Sequence, residues 1–431
     1  MSREISVDYL ARVEGEGALY LAIDGDKVTD LRFRIFEPPR FFEAFLRGRN
    51  YLEAPDITAR ICGICPVAYQ TSSANAMEDW LGVELEPGVK QLRYLMYLGE
   101  WIESHCLHVY MLHAPDFLGY QSGIHMAKDH PEAVTRGLRL KAAGNRLMQL
   151  LGGREIHPVN FRVGGFYRAF EKAELAALTH ELEWGREAAA ETVDWVSGFP
   201  FPDIEIDYEF VALRHSDEYA IVEGRIVSST GLDLAVSDWP AYFAEEHVEW
   251  SNALHARRIG GGSYQVGPMA RYNLNFEQLH PAARAAAVGA GIAGGTRNPF
   301  RSIQVRSVEL VHAFATALEL IDAYQPPSAP YRVGSVAAGT GHGASEAPRG
   351  LLYHRYQLDG EGTIVDARIV PPTSQNQLRI EDDLRLMVPS LVQLPDDELK
   401  WRLEQAIRNY DPCISCATHF LDLRVERHVS R

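Results

Sequence analysis

Two short stretches, RICGIC at residues 60–65 and DPCISC at 411–416, each hold a Cys-x-x-Cys pair, and almost the whole chain lies between them. Such a turn can aim both sulfurs at one centre, so each pair is half of a four-sulfur site if the fold brings the chain ends together in its interior. One reading is structural zinc, but zinc modules close over loops of roughly 15–20 residues, whereas Cys62/Cys65 and Cys413/Cys416 enclose the body of the protein, and RICGIC has apolar flanks. A redox dithiol accounts for either pair and gives no reason for two. Two pairs joined at the centre of a large fold make a sulfur-rich site suited to a soft transition metal.

Composition narrows the background. With 431 residues, 46% of them hydrophobic, the chain can bury a large core. Five cysteines are too few for a secreted disulfide framework, and Cys106, outside the pairs, is expected to be a buried structural thiol. The N-terminal MSREISVDYLARVEGEG has no basic-then-apolar signal, and no window approaches the ~20 apolar residues of a membrane span, so a cytoplasmic location is expected. A net charge of −16 argues against nucleic-acid binding, which needs a basic face.

The patterning predicts a mainly α fold with small β appendages (α+β): one domain over 1–431, a central helical bundle around a buried metal site. Alternation around Asp24-Gly25 reads as an antiparallel β-meander over about 1–37. A helical core is expected over about 66–200 and 300–412. Gln91 to His113 is apolar too densely for a surface helix, and 172–198 and 301–325 carry helical periodicity. Residues 218–229 and 353–372 read as β-hairpins. The last helix, DDELKWRLEQAIRNY, stops before Pro412. The first Cys-x-x-Cys pair is expected between a loop, APDIT, and a helix beginning around Val67.

The wording around these cysteines resembles the large, catalytic subunit of [NiFe] hydrogenases of the cytoplasmic, cofactor-coupled (sulfhydrogenase or NAD(P)-linked) type. RVEGEG (12–17), FEAFLRGR (42–49), GGREIHPVNFRVGG (152–165), YQVGPMAR (264–271), EAPRGLLYH (346–354) and VPPTSQNQ (370–377) each resemble a family motif, in the family's order. Large subunits of respiratory complex I share the fold but not the cysteines. The resemblance implies reversible heterolytic cleavage of H2, with Cys62, Cys65, Cys413 and Cys416 binding nickel and Cys65 and Cys416 bridging to an iron that carries CO and two cyanides. It implies Cys413 as first proton acceptor and Glu14 as the relay outward. It further places Arg349 over the metals, Pro348 as a pocket wall, Thr373 as donor to a cyanide, and Asp411 as partner of the arginine. Ser104 stands where the family has an acidic residue.

By the same resemblance, Glu43 and His419 bind magnesium or a similar ion, and a maturation protease and chaperone act on a tail at 420–431. Every cysteine but Cys106 is committed, so this chain cannot ligate an iron–sulfur cluster. Electrons must leave through an iron–sulfur small subunit docked near RICGIC and the C-terminus, then through flavin/NAD(P)-binding and ferredoxin-like subunits. The alternatives are a deazaflavin-reducing enzyme and a non-catalytic, zinc-stabilised or complex I-like structural subunit.

Overall fold

The β-meander forms as the alternation predicts. In the computed structural model, which describes residues 2–418, strands β1 (Ser2–Val7), β2 (Gly17–Asp24) and β3 (Lys27–Ile35) pair antiparallel in that order. Leu19, Leu21 and Ile23 alternate inward with Leu31, Phe33 and Ile35 and join the main core. Two short helices follow, α1 (Phe42–Leu46) and α2 (Ala54–Ala59). The second corrects the loop expected at APDIT: Pro55 occupies the first turn, where its missing N–H costs nothing and its fixed φ favours helix.

The centre is helical. Helix α3 (Pro66–Leu81) starts directly after Cys65, and α4 (Pro87–Cys106) is buried along nearly its whole length. The helix expected to run on to His113 instead widens into a π-helical stretch, Leu107–His113, before α5 (Ala114–Leu118). Pro115 cannot donate an i→i−4 hydrogen bond, and Ala114 donates to the carbonyl of Val109, five residues back. Against α4 pack the helices Pro131–Gly152 and Ser302–Ala323, the latter also against Thr179–Ser197. The stretch 172–198 is thus two helices, broken after Ala176.

Strand Gly339–Ala347 lies on α3 and pairs with Gly350–Leu358, which pairs in turn with Ile364–Val370; the last two are the expected hairpin. No hairpin forms within 218–229. Arg225–Ser228 is instead the middle strand between Val211–Arg214 and Asp233–Leu234, and the Ile221 carbonyl accepts from the Glu346 N–H. Long-range partners there outweigh the local pattern. The helix Pro372–Leu391 carries Thr373, and Asp396–Arg408 ends just before the second cysteine pair. One apolar core reaches from Ile5 to Ala417, and all four paired cysteines belong to it. Among the described residues no helix is long and apolar enough to cross a membrane.

Candidate metal centre

Both chain ends meet. The thiols of Cys62, Cys65, Cys413 and Cys416 are buried, and their sulfurs lie within 4.8 Å of one another. Cys62 Sγ is 3.5 Å from Cys413 Sγ, and Cys65 Sγ is 3.6 Å from Cys416 Sγ, so each contact joins one pair to the other. A hydrogen bond with Cys416 pushes the Cys413 thiol well up, and burial raises that of Cys416. Four sulfurs this close cannot all ionise unless a cation sits among them. Buried, soft donors at this spacing fit a thiophilic transition metal.

Local structure explains each arm. Cys65 is the N-cap of α3, whose first free N–H groups are taken by a residue the sequence did not single out: Glu100 on α4 accepts from Val67 (2.6 Å) and Ala68 (3.1 Å). Burial holds the Glu100 carboxyl well above its usual range. On the other arm, the Cys413 N–H donates to Thr373 Oγ1 at 2.9 Å. Asp411 takes a left-handed φ of 52° to turn the chain into the site.

Glu14 lies in the β1–β2 loop, not on a strand, and forms an isolated parallel bridge with Cys413. Its Oε2 accepts from Ser415 N (3.0 Å) and is 3.3 Å from Cys413 Sγ. Burial, with Cys62 beside it, pushes its pKa up, which favours a carboxyl that can take and release a proton. Gly15 has φ +89°, and a Cβ there would meet Ile414 at 2.7 Å, so only glycine lets the two segments cross.

Arg349 donates from Nε to the Asp411 carbonyl (2.9 Å) and from Nη2 to Oδ1 (3.2 Å), while Nη1 is buried with no hydrogen-bond partner. It lines a small pocket with Cys65, Cys413, Cys416, Tyr69 and Thr373. Pro348 does not line it; Ala347, Leu352 and Pro372 supply the apolar wall, and the Pro348 carbonyl accepts from Arg271. Arg271 also holds the Ala347 carbonyl at 2.8 Å, so one guanidinium fixes the two residues before Arg349. Arg271 is anchored by both oxygens of Glu309, which also meets His105 at 2.8 Å. His105 is therefore a core residue held through Nε2, with its Nδ1 buried and without a hydrogen-bond partner.

Ser104 is buried, and its Oγ has no partner. The neighbouring Glu103 pairs with Lys141 at 2.7 Å. Glu43 is buried on α1 and accepts from Ile369 N at 2.8 Å; His419 and the tail at 420–431 lie outside the described residues. The sequence does not single out Glu100, Arg271 or Glu309, because a buried charge far from its partner in sequence looks like any helical polar residue. YQVGPMAR contained Arg271, and a charge inside a recurrent motif was the available signal.

Residues 40–136 match the family model described as nickel-dependent hydrogenase. The chain is 33% identical to the sulfhydrogenase 2 alpha subunit of Pyrococcus furiosus, covering 97% of this chain and all of that one. It is 32% identical to the sulfhydrogenase 1 alpha subunit of the same organism, over 97% and 98%. Its fold matches an NAD+-reducing [NiFe]-hydrogenase in the H2-reduced state with a TM-score of 0.86, 26% identity, and coverage of 97% and 99%. Such identity over nearly the full length of both partners shows that this chain belongs to the nickel-dependent hydrogenase family and is the catalytic large subunit of such an enzyme.

Proposed function

We propose that the subunit catalyses reversible cleavage of H2 to protons and electrons, and that Cys62, Cys65, Cys413 and Cys416 would hold the nickel–iron centre that supplies this chemistry. The cluster of four buried sulfurs drawn from both ends of the chain carries this reading. The bound centre supplies the heterolytic cleavage itself. The protein then has to take up a proton, stabilise charge and exclude water. Cys413 accepts the proton and Glu14 receives it: the S–H bond breaks, an O–H bond forms on the carboxylate, and the thiolate is restored.

The permanently charged Arg349 fork, held against Asp411, leaves Nη1 free to donate to an anionic diatomic ligand, cyanide being the one the family reading implies beside a neutral CO. The Thr373 hydroxyl accepts from Cys413 N, so its own hydrogen is available to a second cyanide. Glu43 and His419 would hold magnesium, a hard cation suited to a carboxylate.

Two electrons per H2 leave through an iron–sulfur small subunit. Its dock is the surface beside RICGIC, where Ile156 and Val159 are 53% and 50% exposed, Ile156 approaches Gly63, and Arg60 meets His157 at 3.3 Å. From there they reach NAD(P) on a flavin-containing partner in the cytoplasm; the likeness to the NAD+-reducing hydrogenase supports the nicotinamide as acceptor. The test is H2-driven reduction by the native complex: NAD+ or NADP+ is expected to be reduced. Reduction of a deazaflavin but of neither nicotinamide would reassign the acceptor.

A further inference from the structure

We infer that Asp116 is a positioning residue for the proton hand-over between Cys413 and Glu14, one carboxylate pinning together the two segments that face each other there. The inference rests on the reading of Glu14 as relay. Glu14 and Cys413 sit at the tips of two segments that belong to neither a long strand nor a long helix. Their direct ties are few: Ile414 N to the Glu14 carbonyl at 3.0 Å, Ser415 N to Oε2 at 3.0 Å, and the thiol contact of 3.3 Å. A gap set by such ties needs an anchor behind each segment.

Asp116 supplies both anchors. Arg12, two residues before Glu14, donates from Nη2 to Oδ1 at 2.6 Å. Arg408, five residues before Cys413, donates from Nη2 to Oδ1 at 2.8 Å and from Nε to Oδ2 at 2.7 Å. Their side chains are 9% and 1% exposed, and that of Asp116 is fully buried. Cross-ties lock the same corner: Arg408 Nη1 holds the Ala11 carbonyl at 2.9 Å, and Arg12 Nη1 holds Leu112 at 2.7 Å. Arg12 has a left-handed φ of 59°, a strained turn that persists only where its surroundings hold it.

The π-helical turn just before α5 changes the helical register and sets the direction in which Asp116 points. Two buried guanidiniums share this carboxylate, so neutralising it leaves them repelling each other across the corner that holds the two segments together. The segments then separate, and a proton transfer made over a fixed contact lengthens.

The test is Asp116→Asn in the complete enzyme complex, which keeps shape and removes charge. Nickel and iron content are expected to stay at the wild-type level. Amide hydrogen exchange is expected to accelerate about tenfold at Ile414 and Ser415, whose N–H groups bond to Glu14, and not in α3. H2 oxidation is expected to fall about tenfold to a hundredfold, with a larger H2O/D2O isotope effect on turnover. If Asp116→Asn does not accumulate as folded enzyme, Arg12→Lys, which disturbs only the Glu14 side, is expected to show the same signature. Unchanged exchange and isotope effect in a metal-loaded variant, or activity lost only in proportion to nickel, would overturn the inference. Glu14→Gln separates the layers: full turnover there removes the relay and this inference with it. Slow Glu14→Gln beside unaffected Asp116→Asn and Arg12→Lys removes this inference alone.

Discussion

Replacing Arg349 by lysine keeps the charge and removes the fork. In the native protein Nε and Nη2 are committed to Asp411, at 2.9 and 3.2 Å, while Nη1 is buried without a partner in a residue that lines the pocket. A single ammonium can stay with Asp411 or face the pocket, but it cannot do both with the guanidinium's planar geometry. Staying with Asp411 is favoured, because abandoning a buried carboxylate costs about 3–5 kcal/mol. The pocket then loses one preorganised donor, worth about 2.7–4 kcal/mol at the transition state, or a factor of ~10²–10³ in kcat. Folding should lose only ~1 kcal/mol, since one neutral-to-charged contact is exchanged for a weaker one. The assay is H2-dependent dye reduction by the purified complex, with nickel and iron measured on the same sample. Turnover within threefold of wild type at full metal content would show that Nη1 has no part in the chemistry.

Glu14→Gln should slow H2 oxidation by ~10²–10⁴ while isotope exchange at the metal centre persists, read as scrambling of H2/D2 mixtures. Glu100→Ala leaves the N–H groups of Val67 and Ala68 without acceptors at about 1–3 kcal/mol each. Because α3 follows Cys65, nickel content should fall along with a Tm lowered by a few degrees. Burial raises Glu346 to about 7; Arg271 opposes this but is shared with Glu309, which it holds low. A carboxyl kept neutral in the fold stabilises fully below its ordinary pKa of 4.5, and that contribution fades as pH rises through about 7. Glu346→Gln should therefore flatten the decline in Tm between pH 5 and 8, a contribution on the order of 3 kcal/mol.

The site was legible because metal-binding residues come in short, fixed spacings: the two Cys-x-x-Cys pairs offered a four-sulfur site if the chain ends met, and the family resemblance around them implied that they do. The dense apolar run of α4 and the alternation around Asp24-Gly25 and within 353–372 likewise exposed a bundle helix and two β-hairpins. What stayed hidden depends on partners far away in sequence. The helix Pro131–Gly152 packs on α4 through Gly144, where a Cβ would meet the Gly99 carbonyl at 2.6 Å, and that close approach is invisible in a local window. The widening at Leu107–His113 is caused by Pro115, past the end of the stretch that widens. Glu100 and Asp116 look like ordinary helical acids until the fold places N–H groups or guanidiniums against them. Residues 218–229 alternate like a hairpin, yet Arg225–Ser228 finds its strand partners outside that window.

The most direct measurement is metal analysis of the purified complex combined with infrared spectroscopy and nickel-edge X-ray absorption. The account predicts one nickel and one iron in this subunit, sulfur as the nickel ligand, loss of nickel in Cys65→Ser and Cys416→Ser alike, and bands from CO and cyanide. Zinc in place of nickel, or nickel that survives removal of either cysteine pair, would contradict it.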